Sequence, residues 1–289
     1  MDLENKYSYQ DCWNYGISLL NQNIANENIK NDLISLCCVS SEKFWLNFFD
    51  KFLNFNDYLL ICDKLDKYLK KNYPVPYLTN NVSFYNLNFY VEKGIFIPQK
   101  DTEILIEKTL QISEEYWDKE KKLKVLDIGT GCGNIVVSLA KNKSNWIFTA
   151  VDINKKALKI SKKNALNQQL KNIRFIQSDL FSNIDINEKF DIIVSNPPYI
   201  SNEEYQNLSV TARKQPKEAL LADNEGFFFY QEIIRQSQFF LNKKFLIILE
   251  IGYQQEKNVI KLIIDYFPNA KVSIFKDYEN QPRAIVIYE

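Results

Sequence analysis

Histidine is absent from all 289 residues. That gap excludes a Ser-His-Asp triad, a Cys-His pair, a histidine general base and the common imidazole metal sites. Cysteine is sparse, and Cys12, Cys37, Cys38, Cys62 and Cys132 form an odd set without a C-x-x-C pair. Neither a zinc site nor a disulfide framework is expected from them, and no metal; they read as reduced thiols, buried or incidental. No apolar stretch approaches the roughly 18 residues of a membrane span, and MDLENKYSYQ lacks the basic and apolar regions of a signal peptide. A cytoplasmic protein without membrane contact is expected. Excess charge is missing too: Lys plus Arg and Asp plus Glu number 36 each, so no overall field favours nucleic acid. The 46% of hydrophobic residues suffices for a sizeable core in a chain of this length.

Proline is missing from residues 1–73, and glycine occurs there only at Gly16. Apolar residues recur in this block at helical spacing, most clearly Phe44, Trp45, Phe48, Phe49, Phe52, Leu53 and Phe55. The spacing predicts a helical domain over 1–73 with this stripe as the core of a small bundle; an exposed docking face is the alternative. Pro74 and Pro76 end the block. VSFYNLNFYVEKGIFIP then reads as a hairpin with its turn near Asn86 to Asn88, making 74–98 a structured linker.

From 99 to 289 the pattern alternates. After a helix in TEILIEKTLQI, strands are predicted at 123–128, 147–152, 173–177, 190–195, 245–250, 271–275 and 283–288, and helices at 134–141, 154–168, 225–241 and 254–266. Such alternation means an α/β domain with a mostly parallel, seven-stranded sheet covered on both faces. Only KDYENQ links the last two strands, which should pair as an antiparallel hairpin.

VLDIGTGCGNIVVSLA joins a buried strand to a helix through Gly129, Thr130, Gly131, Cys132 and Gly133. Glycine lets backbone approach a ligand, and the helix start presents unpaired N–H groups. G-x-G-x-G is not the G-x-G-x-x-G of dinucleotide folds. Asp152, ending the next strand, can accept from both hydroxyls of a ribose, and the pair points to an adenosine-type ligand. A tight turn and a solvated strand-end aspartate form the competing account. Asp179 and Leu180 end the third strand; Asp179 can bond an adenine amino group and Leu180 pack on the ring, or both can be plain strand ends. Because ligands of open α/β sheets sit outside the carboxyl ends of strands, Asp127, the glycines, Asp152, Asp179 and Asn196 should converge on one crevice.

SNPPYIS follows the fourth strand. Asn196 can donate and accept, and Pro197, lacking an N–H, offers a carbonyl as acceptor. Two acceptors facing one spot would grip an NH₂ group and aim its lone pair into the crevice, with the Tyr199 face stacked on a planar amide or ring.

With the glycine loop, NPPY (Asn196, Pro197, Pro198, Tyr199) resembles the S-adenosylmethionine-dependent methyltransferases that alkylate exocyclic or amide nitrogen. The nearest resemblance is to the peptide chain release factor glutamine N5-methyltransferases (HemK/PrmC). PVPYLTN, GIFIPQKDTEILIE, ALLADNEGFFFYQEII, LEIGYQQ and KDYENQPRAIV extend it over 74–289. The resemblance implies a Rossmann-like methyltransferase sheet and S-adenosylmethionine as cofactor, with S-adenosylhomocysteine as product. It implies a release factor as protein partner, through its Gly-Gly-Gln glutamine, and a substrate-recognition role for residues 1–73. Gly129 to Gly133, Asp152, Leu180 and Asn196 would contact the cofactor, and Asn196 to Tyr199 the glutamine. Gln99 and Lys100 stand where the family reads Arg-Pro, and Arg213, Lys214, Gln215, Pro216 where it reads R-F-E-P. The alternatives are a glutamine methyltransferase acting on a ribosomal protein, an adenine N6 methyltransferase, and a non-catalytic binding protein that keeps the fold. The missing basic stripe weighs against nucleic acid.

Overall fold

The structure is a computed structural model and describes residues 7–20, 27–37 and 52–289. The chain divides into two compact units, Met1–Asn81 with Ser209–Lys214, and Val82–Leu208 with Gln215–Glu289.

In the first unit, β1 (Tyr7–Ser8) pairs antiparallel with β2 (Phe52–Leu53), and helices span Tyr9–Leu19, Glu27–Leu36, Phe55–Lys71 and Val75–Thr79. Ser8 starts the first helix through a capping box: Asp11 N–H donates to Ser8 Oγ at 3.2 Å, and Ser8 N–H to Asp11 Oδ2 at 2.6 Å. Asn72, left-handed at φ 52°, ends the long helix two residues before Pro74. Tyr9, Cys12, Leu33, Ile34, Leu36, Cys37, Ile61 and Leu65 form the core. The predicted aromatic stripe is corrected where it can be seen. Phe52 and Leu53 belong to a strand, and Phe52 and Phe55 are 54% and 53% exposed, so those two phenylalanines are not core. Phe44, Trp45, Phe48 and Phe49, like Cys38, lie outside the described residues. Cys12 and Cys132 are buried free thiols, and Cys37 is buried.

The second unit opens with the hairpin β3 (Val82–Phe84) and β4 (Leu87–Phe89). Its turn is Tyr85–Asn86, both at positive φ, as a two-residue hairpin loop requires. Seven strands follow: β5 (Lys124–Ile128), β6 (Ile147–Asp152), β7 (Ile173–Gln177), β8 (Phe190–Ser195), β9 (Leu241–Glu250), β10 (Lys271–Lys276) and β11 (Pro282–Tyr288), in the order β10-β11-β9-β8-β5-β6-β7. The pairs β6–β7, β5–β6, β5–β8 and β8–β9 are parallel, and β11 runs antiparallel to both neighbours.

Period-two alternation explains why the central strands are apolar throughout. Val125, Ile192, Val194, Leu246 and Ile248 pack into the core on one face, while Leu126, Ile193, Ile247 and Leu249 pack into the core on the other. At about 1.5–3 kcal/mol per fully buried apolar side chain, these two layers are the main source of stability. Chain order reverses between β5 and β8: from β5 the chain proceeds outward to β6 and β7, then returns to the other side for β8 and β9. A crevice opens at the carboxyl ends of strands at such a switch point.

The helix predicted at 225–241 is shorter, Phe228–Ser237. Asn224, Glu225 and Gly226 all take positive φ, which excludes an α-helical start, and β9 already begins at Leu241. The helix Asn202–Asn207 and the short turn Lys217–Ala219 were not expected. Among the described residues no helix is long and apolar enough to cross a membrane.

Candidate active site

Three of the chain's seven glycines fall in the loop between β5 and the helix Asn134–Asn142. Gly129 and Thr130 each donate an N–H to Val151 O of β6 at 2.9 Å, which ties the loop to its neighbour strand. Gly129 and Gly131 have φ 71° and 58°. Gly133 serves packing: a Cβ there would lie 2.4 Å from Ser161 Oγ, so the close approach of two helices demands glycine.

The Asp152 carboxylate is held by backbone alone. Its Oδ2 accepts from Gly131 N–H and its Oδ1 from Asn154 N–H, both at 2.8 Å. Burial raises its pKa while these two donors oppose the shift. Lone pairs remain on both oxygens. Beneath the loop Asp127 is wholly buried, with Thr130 Oγ1 donating to its Oδ2 at 2.6 Å and no partner for Oδ1 among the described residues. Burial pushes this carboxyl up to about 7, against the Thr130 hydrogen bond and with the Asp152 charge adding to it.

The glycine loop and Asp152 line one cleft of about 400 Å³, within the size range of small-molecule sites, while Asp127, expected in the same crevice, is buried beneath the loop and does not line it. Of the expected site residues, Gly129, Thr130, Gly131, Cys132, Asp152, Asp179, Leu180, Asn196, Pro197 and Pro198 line it; Gly133 and Tyr199 do not. Leu180 stands at φ 47°, a left-handed conformation costing a non-glycine residue about 1–2 kcal/mol, kept where it faces the cleft. Ile95, Phe96 and Ile153 supply apolar wall, and Pro216, Glu218 and Ala219 another stretch of it.

Asn196 donates from Nδ2 to Thr102 Oγ1 at 3.1 Å. Tyr199 directs its hydroxyl to Glu250 Oε1 at 3.3 Å, receives Arg283 Nη1 at 3.4 Å, and its carbonyl accepts from Gln255 Nε2 at 2.9 Å. Burial drives the Tyr199 phenol far above its ordinary range, so it stays neutral. Gly226 lies under the same loop, where a Cβ would stand 2.3 Å from Tyr199 O. Glu250 is buried at the end of β9, and burial pushes it up to about 7 despite Thr102, Arg283 and Tyr199.

Sequence reasoning gave no role to Thr102, Glu250, Gln255, Gly226 or Arg283. One signal was available: a glutamate closing the apolar run FLIIL is a charge placed where a strand should be buried. The family departures make local contacts. Gln215 Oε1 accepts from Ile97 N–H at 2.9 Å, Gln99 Nε2 donates to Ile97 O at 2.7 Å, and Lys100 Nζ sits 5.1 Å from the Tyr278 ring centre.

The arrangement fits an adenosine-type ligand. It offers a fixed carboxylate for a ribose diol and apolar walls for a base. Comparisons with known proteins agree. The family profile "Methyltransferase small domain" matches residues 87–249. The hMettl16 catalytic domain, solved in complex with the MAT2A 3′UTR hairpin 1, has the same fold, with a TM-score of 0.56 at 16% identity over 89% of this chain and 90% of that one. A release factor glutamine methyltransferase of Fusobacterium nucleatum is 38% identical over 75% of this chain and 60% of its own length. That of Streptococcus pneumoniae is 39% identical over 74% of each chain, and that of Lactococcus lactis 37% identical over 84% of this chain and 87% of its own. With such identity over most of both chains, this protein belongs to the release factor glutamine methyltransferase family.

Proposed function

We propose that the protein transfers a methyl group from S-adenosylmethionine to the side-chain amide nitrogen of the Gly-Gly-Gln glutamine of a peptide chain release factor. The observation that carries this reading is that Asn196, Pro197 and Pro198 line the same cleft as the glycine loop and Asp152. Asp152 would hold the two ribose hydroxyls, Gly129 to Cys132 would face the cofactor with backbone, Asp179 would bond the adenine amino group, and Leu180 would pack on the ring. The bound cofactor supplies an electrophilic methyl on a sulfonium.

The chain's own part is positioning. An amide nitrogen is a weak nucleophile, and no histidine is available as general base. Asn196 Oδ1 and the Pro197 carbonyl would accept both hydrogens of the glutamine NH₂, fixing its lone pair toward the methyl and stabilising the positive charge that develops on nitrogen. Proton loss follows transfer and needs no strong base. The first unit, residues 1–73 in particular, would recognise the remainder of the release factor and spend that binding energy on orienting the glutamine.

The test is incubation of the pure protein with labelled S-adenosylmethionine and release factor, with ribosomal proteins and DNA as parallel substrates. Mass spectrometry should find one methyl on the Gly-Gly-Gln glutamine. Label on ribosomal protein or DNA alone would overturn the assignment.

A further inference from the structure

Behind the NPPY segment lies a chain of polar atoms that the transfer reaction does not by itself require. Asn196 Nδ2 donates to Thr102 Oγ1 at 3.1 Å, and Asn196 Oδ1 has no hydrogen bond among the described residues. Thr102 is completely buried, so its own hydroxyl hydrogen needs an acceptor, and the Glu250 carboxylate interacts with this hydroxyl. Glu250 Oε1 receives the Tyr199 hydroxyl at 3.3 Å, while Oε2 is buried without a partner among the described residues. Arg283 joins from the other side, to Tyr199 Oη at 3.4 Å and to Asp277 at 3.0 Å.

A carboxylate sunk at the end of a core strand and left partly unsatisfied costs stability. Its retention calls for a use other than stability. Hydrogen-bond arithmetic supplies one. An ionised carboxylate only accepts, a threonine hydroxyl donates once, and an asparagine amide presents either oxygen or NH₂ depending on its flip. With Glu250 ionised and acting as terminal acceptor, as it is above about pH 7, Thr102 must donate to it and accept from Asn196. The amide then has one permitted flip, with Oδ1 left for the cleft. In the opposite flip the Asn196 NH₂ would meet the NH₂ it is meant to hold.

We propose that Thr102 and Glu250 are positioning residues that fix the amide flip of Asn196, while Glu250 and Arg283 anchor Tyr199 at the other end of the same tetrapeptide. The proposal rests on the reading that Asn196 grips the substrate NH₂. Glu250→Gln puts an NH₂ donor beside the acceptor oxygen, so Thr102 is no longer compelled to donate and the direction of the chain is lost. Serine at 102 keeps the hydroxyl, and valine keeps only the shape.

The experiment uses the full chain with release factor and saturating S-adenosylmethionine, together with the ¹⁵N–¹H spectrum of the Asn196 side-chain amide, identified by its loss in Asn196→Ala. Thr102→Val and Glu250→Gln should each lower kcat by about tenfold or more, with cofactor Kd changed less than about threefold, and Thr102→Ser should recover to within about threefold of wild type. In an Asn196→Ala background Thr102→Val should cause no further loss beyond about twofold, since it acts through the missing amide. The Asn196 amide resonances should shift in Thr102→Val and stay in Thr102→Ser. Equal losses for valine and serine, an undiminished Thr102→Val effect without Asn196, or identical amide resonances in wild type and Thr102→Val would overturn the proposal. A wild-type protein that leaves release factor unmethylated sinks the functional reading instead, and the amide spectrum still decides the positioning.

Discussion

The two sides of the cleft are built differently. On the β5–β6 side Asp152 is held by backbone donors alone, the N–H of Asn154 and that of Gly131 in the glycine loop. On the β8–β9 side Asn196 is held by Thr102 and Tyr199 by Glu250, Arg283 and Gln255, all contributed by other parts of the chain. Backbone donors suit a ligand whose polar groups do not change during reaction. A side chain that must present one atom of a flippable amide needs partners of defined direction, and those come from tertiary structure. The difference implies that damage on the first side should read out in affinity and damage on the second in turnover.

Asn196→Ala gives the largest effect and breaks the comparison most directly if it fails. Loss of a polar group positioned at a reacting centre costs about 10² or more in kcat. Cofactor affinity, measured by calorimetry on the folded variant, should change far less. Turnover of release factor at the wild-type rate would remove Asn196 from the chemistry.

Asp152→Ala should do the opposite. Losing hydrogen bonds to a charged group costs about 1.5–3 kcal/mol, which is about 10- to 150-fold in cofactor Kd. With cofactor raised to saturation, single-turnover rates should return to near wild type. A variant that binds normally, or one that stays slow at saturation, would mean that the two sides do not divide affinity from turnover.

The two buried carboxyls give a shared pH signature. Glu250 is raised from an ordinary 4.5 to about 7 and Asp127 from 3.8 to about 7, chiefly by burial. Between those limits the folded protein holds protons that the unfolded chain has released, so stability falls as pH rises through the window. The full loss is about 3 kcal/mol for Glu250 and about 4 kcal/mol for Asp127. Around Glu250 the charged and titratable groups are Asp101, Arg283, Tyr199 and Tyr230; Arg283 and the hydroxyl of Tyr199 favour its ionised form, and Asp101 opposes it. Glu250→Gln should remove its share, so the stability of the variant relative to wild type rises between pH 5 and pH 8 in urea titrations. An unchanged difference would show Glu250 to be ionised throughout.

How much of this was legible in the sequence follows the same division. The glycine loop, Asp152 and NPPY are local strings, and β6, β7 and β8 are compact β-branched or aromatic runs whose bounds could be read directly. The helix that begins in FFFYQEII is shorter than its apolar spacing, which continues through Gly226 and Phe240, because the backbone at Asn224 to Gly226 is left-handed and β9 starts at Leu241. Phe52 and Phe55 fit a helical stripe by spacing, yet Phe52 lies on β2, which pairs with β1, Phe55 opens the following helix, and both are exposed. Thr102 and Glu250 carry no local signal of joint action, since Thr102 stands just before the helix Glu103–Tyr116 and Glu250 at the end of β9, and only the folded chain brings them together.

The smallest expected effect concerns Gln215, which stands where the family pattern has glutamate. Its Oε1 accepts the Ile97 N–H at 2.9 Å, and Ile97 continues the segment whose Ile95 and Phe96 wall the cleft. The requirement there is an acceptor and not a charge. Gln215→Glu should therefore keep kcat and KM within about twofold of wild type, because a carboxylate takes the same N–H with at least equal strength. Gln215→Leu leaves a half-buried N–H unpaired, at a cost of about 1–3 kcal/mol, and should raise KM for release factor by loosening the wall while cofactor Kd holds. If leucine is as harmless as glutamate, the segment is fixed by its packing, and the acceptor side of the cleft is less dependent on directed hydrogen bonds than its architecture indicates.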